Sequence, residues 1–141
     1  MHLDLITLNG VAYSAEAYSV ILPTASGQIT VMGNHEPLMS ALVPGVITIR
    51  KEARDTEDKL EHYATYGGVV EVTKNGPRVL VDEADTAGEI TQAEAEKAYA
   101  EAQRMLSGAK SRVELEQAQA LVDRQAVRLQ VADLRRRHTR R

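Results

Sequence analysis

Four histidines, His2, His35, His62 and His138, are the side chains whose ordinary charge change falls near neutral pH. Acid–base catalysis or metal ligation would need two of them, or one beside a carboxylate, at a spacing that a helix or turn brings together. They are scattered instead. His35-Glu36 opens like a zinc-protease helix, but Pro37 breaks any helix and no second histidine follows at the required offset. No glycine-rich phosphate loop of the Walker type and no G-x-S-x-G elbow occurs. Cysteine is absent, which excludes disulfides, thiolate metal sites and cysteine nucleophiles. The residue types describe a chain without a catalytic centre or metal site of its own.

Anion binding is the better-supplied chemistry. Arg124 and Arg128 lie four residues apart, which places both on one face of a helix. The tail Asp133-Leu134-Arg135-Arg136-Arg137-His138-Thr139-Arg140-Arg141 carries five arginines against one acid. Cations at a helix C-terminus complement the helix dipole by about 0.3–1 kcal/mol each, which accounts for two or three of them. Five suggest an acidic partner: a protein carboxylate cluster, a nucleic acid or an anionic lipid surface. The net acidic chain, formally −3, and the lack of stacking aromatics in the tail argue against specific nucleic-acid recognition.

The elements that must position these groups divide the chain in two. Residues 1–88 carry a formal −6 and residues 89–141 a formal +3, so the halves attract within a screening length of ~10 Å. At 141 residues there is room for one domain and an appendage. Phe and Trp are absent, so the core is built from Val, Ile, Leu, Ala and Tyr. No run approaches ~18 apolar residues, and Met1-His2-Leu3-Asp4 lacks the basic start and apolar stretch of a leader. A soluble, untargeted chain is expected.

The first half reads as strands: His2–Leu8, Tyr18–Leu22, Ile29–Val31, Val46–Arg50, His62–Tyr66, Val69–Val72 and Val79–Val81, at the spacing of an all-β sandwich or barrel. Asn75-Gly76 supplies the positive φ of a tight hairpin turn, and Gly67-Gly68 marks a bulge or close backbone approach. The charged run Lys51–Glu61 reads as a solvated hairpin loop. In the second half the period changes to 3.6. Thr91 with Glu94, and Ser111 with Glu114, form two capping boxes, and Gly108 reads as a left-handed helix stop. Ala95, Ala98, Tyr99, Ala102, Met105 and Leu106 line one helix; Leu115, Ala118, Val122, Ala126, Leu129 and Ala132 line the other. The fold class expected is α+β: an N-terminal antiparallel β-sandwich over 1–86, a C-terminal antiparallel two-helix hairpin over 90–137, and a basic tail over 138–141. Alanine buries less area than leucine by roughly 2 kcal/mol per position, so the hairpin should dock marginally, as a moving part would; the plain alternative is a permanently docked two-helix cap.

One segment carries a family resemblance. Gly27-Gln28-Ile29-Thr30-Val31-Met32-Gly33-Asn34-His35-Glu36-Pro37-Leu38, leading into Pro44-Gly45-Val46, resembles the G-(E/Q)-x-x-(I/V)-x-x-x-H-x-P-L pattern and following PGV or PGM turn of the epsilon subunit of bacterial and chloroplast F-type ATP synthases. Tyr66-Gly67-Gly68-Val69-Val70-Glu71-Val72 is similar to a second segment of that family, and the order of motifs extends over nearly the whole chain. The resemblance implies a central-stalk rotor subunit, peripheral on the cytoplasmic face of the bacterial inner membrane, with no direct membrane insertion. Its partners would be the gamma subunit, the c-subunit ring and, when the hairpin extends, the α and β subunits of the catalytic head. The turn carrying Gln28, Asn34, His35 and Glu36 would meet the c ring; the plain alternative is that His35 donates to a nearby carbonyl and fixes its own turn. Gln28 stands where many relatives have Glu, so that contact would be a hydrogen bond instead of an ion pair. Arg128, Arg135, Arg136 and Arg137 would meet an acidic segment of a β subunit and block rotation in the hydrolysis direction.

Some relatives bind ATP through (I/L)-D-x-x-R-A at the first helix. Here the aligned residues are Ile90-Thr91-Gln92-Ala93-Glu94-Ala95, so Thr91 replaces the acid and Glu94 reverses the charge of the arginine. That leaves Arg124 and Arg128 as the basic positions for nucleotide, with a solvated basic face as their alternative, and no cofactor is expected. Two other function classes stay open: a sensor whose hairpin folds on ATP, and a β-sandwich whose arginine tail holds an acidic polymer.

Overall fold

The computed structural model describes residues 1–139, with side chains through Arg137; of the basic tail at 138–141, residues 140 and 141 and all four side chains lie outside what is described. The strands are β1 (His2–Thr7), β2 (Gly10–Glu16), β3 (Ser19–Thr24), β4 (Gly27–Met32), β5 (Leu38–Arg50), β6 (Glu61–Thr73), β7 (Gly76–Val81) and β8 (Ala84–Thr86), followed by helices α1 (Gln92–Ser107) and α2 (Arg112–Thr139). The strands hydrogen-bond in the order β2-β1-β7-β6-β5-β3-β4, with β8 added beside β6. Neighbours run antiparallel except β1 and β7, which pair in parallel from Asp4↔Arg78 to Ile6↔Leu80.

Two 13-residue strands, β5 and β6, form the spine. Along Tyr63–Thr65 β6 is flanked by β5 and β8, and along Gly68–Val72 by β5 and β7. Gly67 and Gly68 sit at that exchange of partners with φ of 119° and 155°. A Cβ on Gly68 would lie 2.2 Å from the Leu80 carbonyl oxygen, so the close approach expected there is present and only glycine permits it. The hairpin to β7 also forms, with Thr73 paired to Gly76. Its positive φ belongs to Gly76 alone, not to Asn75, which is the geometry of a turn closed by a glycine bulge.

Three local expectations are corrected. Pro44-Gly45 is no turn: both lie within β5, paired to Tyr66 and Thr65. Proline is tolerated there because the pairing of β5 with β3 slips register between Ile21 and Thr24. Thr91 makes no side-chain cap; the Glu89 carboxylate instead accepts from the Thr86 amide at 2.8 Å one turn earlier. Gly108 takes φ −91°, ψ 0° and so ends α1 without a left-handed residue. Ser111 does cap α2, its Oγ accepting from the Glu114 amide at 3.1 Å.

The main core lies inside the folded sheet: Leu3, Leu5, Val20, Leu22, Val31, Ile47, Ile49, Val70 and Val79 are fully buried there. In the middle of β5 and β6 the opposite face is covered as well. Val46, Ala64 and Tyr66 point outward and pack against Val127, Val131 and Ala132 of α2 and Ala95 of α1. That is why these segments read as continuous apolar runs instead of alternating ones.

Candidate functional site: the helix-docking face and its arginines

The sheet-facing stripe of α2 mixes valine with arginine: Arg124, Val127, Arg128, Val131 and Arg135 recur at spacings of three and four. Val127 and Val131 supply the apolar contact. Of the stripe expected from the sequence, Ala118 and Ala132 are buried and Val122 and Leu129 half-buried, whereas Leu115 and Ala126 are exposed. Counting only apolar residues left Arg124 and Arg128 off the predicted face, because arginine stems cover apolar surface while their heads stay polar.

Each arginine of the stripe reaches back to the sandwich. The Arg124 Nη2 donates to Glu83 Oε2 at 2.5 Å, and its guanidinium carbon lies 4.1 Å from the centroid of the Tyr66 ring, within cation–π range. The Arg128 Nη1 donates to Asp85 Oδ2 at 2.8 Å. The Tyr66 hydroxyl donates to the same oxygen at 2.7 Å, so one carboxylate ties α2 to β6. Burial, and then that hydrogen bond, push the Tyr66 hydroxyl up to about 12. Arg135 donates to the Ala87 carbonyl at 3.1 Å. The next two arginines do not reach the sheet in this way: Arg136 and Arg137 pair with Asp133 on their own helix at 3.0 and 3.1 Å.

The residues expected at a ring contact are not gathered in one turn. Gln28 stands exposed at the start of β4, paired with Pro23. Asn34, His35 and Glu36 follow the far end of that strand, at least ~13 Å away along it at ~3.3 Å per residue. Asn34 holds φ 64°, and His35 Nδ1 donates to the Glu36 carbonyl at 2.7 Å. The imidazole therefore does brace its own turn.

One further surface escaped the sequence reading. On the outer face of the sheet, register places Ala41 beside Val69, Val69 beside Leu80, Leu80 beside Ile6 and Ile6 beside Val11. Val69, Leu80 and Val11 are 42%, 45% and 65% exposed, so an apolar row crosses five strands in solvent. The cue in the sequence is the unbroken run Val79-Leu80-Val81, because strand alternation puts Leu80 on the face opposite Val79 and Val81. Among the described residues no cluster of three or more His, Asp or Glu could hold a metal, and no helix is long and apolar enough to cross a membrane.

A β-sandwich with a helical hairpin pinned to its outside by arginines defines a two-part α+β protein. The family described as ATP synthase, Delta/Epsilon chain, beta-sandwich domain matches residues 1–87. The chain is 34% identical over 136 residues to an ATP synthase epsilon chain of Herpetosiphon aurantiacus, covering 96% of each chain. It is 39% identical over 131 residues to that of Anaeromyxobacter sp. (strain K), covering 92% of this chain and 96% of the relative. Among solved structures, a chain from the Euglena gracilis mitochondrial ATP synthase OSCP/F1/c-ring assembly shares the fold at TM-score 0.75 and 22% identity, over 86% of this chain and 74% of that one. The chain belongs to the epsilon-chain family of F-type ATP synthases.

Proposed function

We propose that this chain is a non-catalytic rotor subunit of the central stalk: its sandwich clamps the foot of gamma to the c ring, and its hairpin brakes ATP hydrolysis by exchanging the sandwich for the catalytic head. The observation that carries this reading is the docking face. The hairpin meets the sandwich through a small second cluster, in which Val46 and Ala64 of the sandwich and Ile90 ahead of α1 are buried against Ala95, Val127, Val131 and Ala132, and through three arginine contacts, a bond that few-kcal/mol competition can replace. The apolar row through Val69 and Leu80 is the surface offered to gamma. Gln28 at one end of β4, and Asn34, His35 and Glu36 at the other, are the polar positions offered to the ring; their separation assigns them to two different loops. On extension, Arg128, Arg135, Arg136 and Arg137 meet an acidic segment of a β subunit. The assembly holds the chain at the cytoplasmic face of the bacterial inner membrane without inserting it.

The reading needs no cofactor. Arg124 and Arg128 already rest on Glu83 and Asp85 in the docked hairpin, and Glu94 would repel a polyphosphate, so millimolar ATP is expected to leave thermal stability unchanged. The test of the brake is truncation after Gly88: ATP hydrolysis by the assembled complex should rise while proton-coupled synthesis persists. Unchanged hydrolysis would remove the brake and leave the clamp.

A further inference from the structure

We infer that Glu83 and Asp85 form an internal acidic stand-in that occupies Arg124 and Arg128 and withholds them from an acidic protein partner. The two carboxylates are alternate residues at the entry to β8, so they share one side of an extended segment and repeat at about 6.6 Å. The two guanidiniums are one helical turn apart, a repeat of about 6 Å along α2. The ladders match, and both rungs close: 2.5 Å at Arg124–Glu83 and 2.8 Å at Arg128–Asp85. Each rung is fixed from a third side by Tyr66, whose ring faces Arg124 and whose hydroxyl shares the Asp85 oxygen. Arg128 and Asp85 are the more shielded pair at 26% and 25% exposed, against 36% and 44% for Arg124 and Glu83, so salt screens the Arg128 rung less than the Arg124 rung. They join residues 41 and 43 positions apart in sequence, and so report the position of α2 on the sheet and not local helix geometry.

Undocking α2 therefore presents two guanidiniums at a fixed spacing of about 6 Å. The partner chemistry that fits is a protein segment with two carboxylates four apart on a helix or two apart on a strand. Identifying that segment with the catalytic head rests on the function proposed above; the stand-in itself does not.

The test uses the full-length chain, alone and assembled. Neutralising the stand-in with E83Q and D85N should speed amide exchange along α2 from 124 to 135 by about tenfold, the effect of losing two partly shielded charge pairs. The charge swap D85R with R128D should restore slow exchange. In the assembled complex E83Q/D85N should lower ATP hydrolysis severalfold, because the arginines are free for the partner. R124Q/R128Q should loosen α2 equally without lowering hydrolysis. Unchanged α2 exchange in E83Q/D85N overturns the stand-in. Loosened α2 with unchanged hydrolysis upholds the stand-in and overturns the brake on which the partner's identity rests.

Discussion

The two cores of this molecule are built to different standards. Inside the sandwich, nine leucine, isoleucine and valine side chains are sealed completely from water. Under the hairpin, the sealed residues are mostly alanine and valine, and the contact is completed by guanidiniums over carboxylates. Apolar burial scales with area and is insensitive to salt, whereas partly exposed ion pairs contribute little and depend on screening. The second interface is therefore expected to be the weaker and the more salt-sensitive, although both press on the same two strands.

The sharpest way to expose that difference is to truncate one buried side chain in each core. Leu22→Ala in the main core should lower global stability by about 2–5 kcal/mol, seen as a shifted denaturation midpoint for the strands. Val131→Ala under the hairpin removes less area and should cost roughly 1–3 kcal/mol, and only of docking. Helical signal and α2 protection should fall while the strand transition stays in place.

Alkaline titration separates the same regions by charge. Tyr66 is raised to about 12 by burial and by its bond to Asp85, so the docked state holds that proton more tightly than the undocked one. Its contribution is complete below about 10, the free tyrosine value, and is lost as pH rises from there through about 12. Tyr63, in the main core, is pushed further up by burial. Tyrosinate absorbance and helical dichroism followed together should show the hairpin released before the strands open. The smallest stability effect is expected on the exposed row: Leu80→Lys should stay within about ±0.5 kcal/mol, yet it should abolish co-purification with gamma if that face is the clamp.

Local signals carried much of this architecture. The β-branched runs, the Gly67-Gly68 approach, the Asn75-Gly76 hairpin and the Ser111 cap are short-range patterns, and all are present. Strand β2 was missed because Gly10–Glu16 buries only Tyr13 and is otherwise small and polar. Pro44-Gly45 imitated a turn because its strand character comes from pairing partners far along the chain. The polar half of the docking face was missed for a related reason. Arg124 and Arg128 are visible in the sequence as a basic pair, but nothing local places Glu83 and Asp85 opposite them. Only the folded sheet does so, and it turns two residues that look partner-seeking into residues already held.

Amide hydrogen exchange of the full-length chain in isolation tests the difference between the two cores most directly. Inner amides of β3, β5 and β6 should exchange about a hundredfold or more slowly than those of α1 and α2, as separate cooperative units do. Helices protected as strongly as those strands would contradict a conditionally docked hairpin.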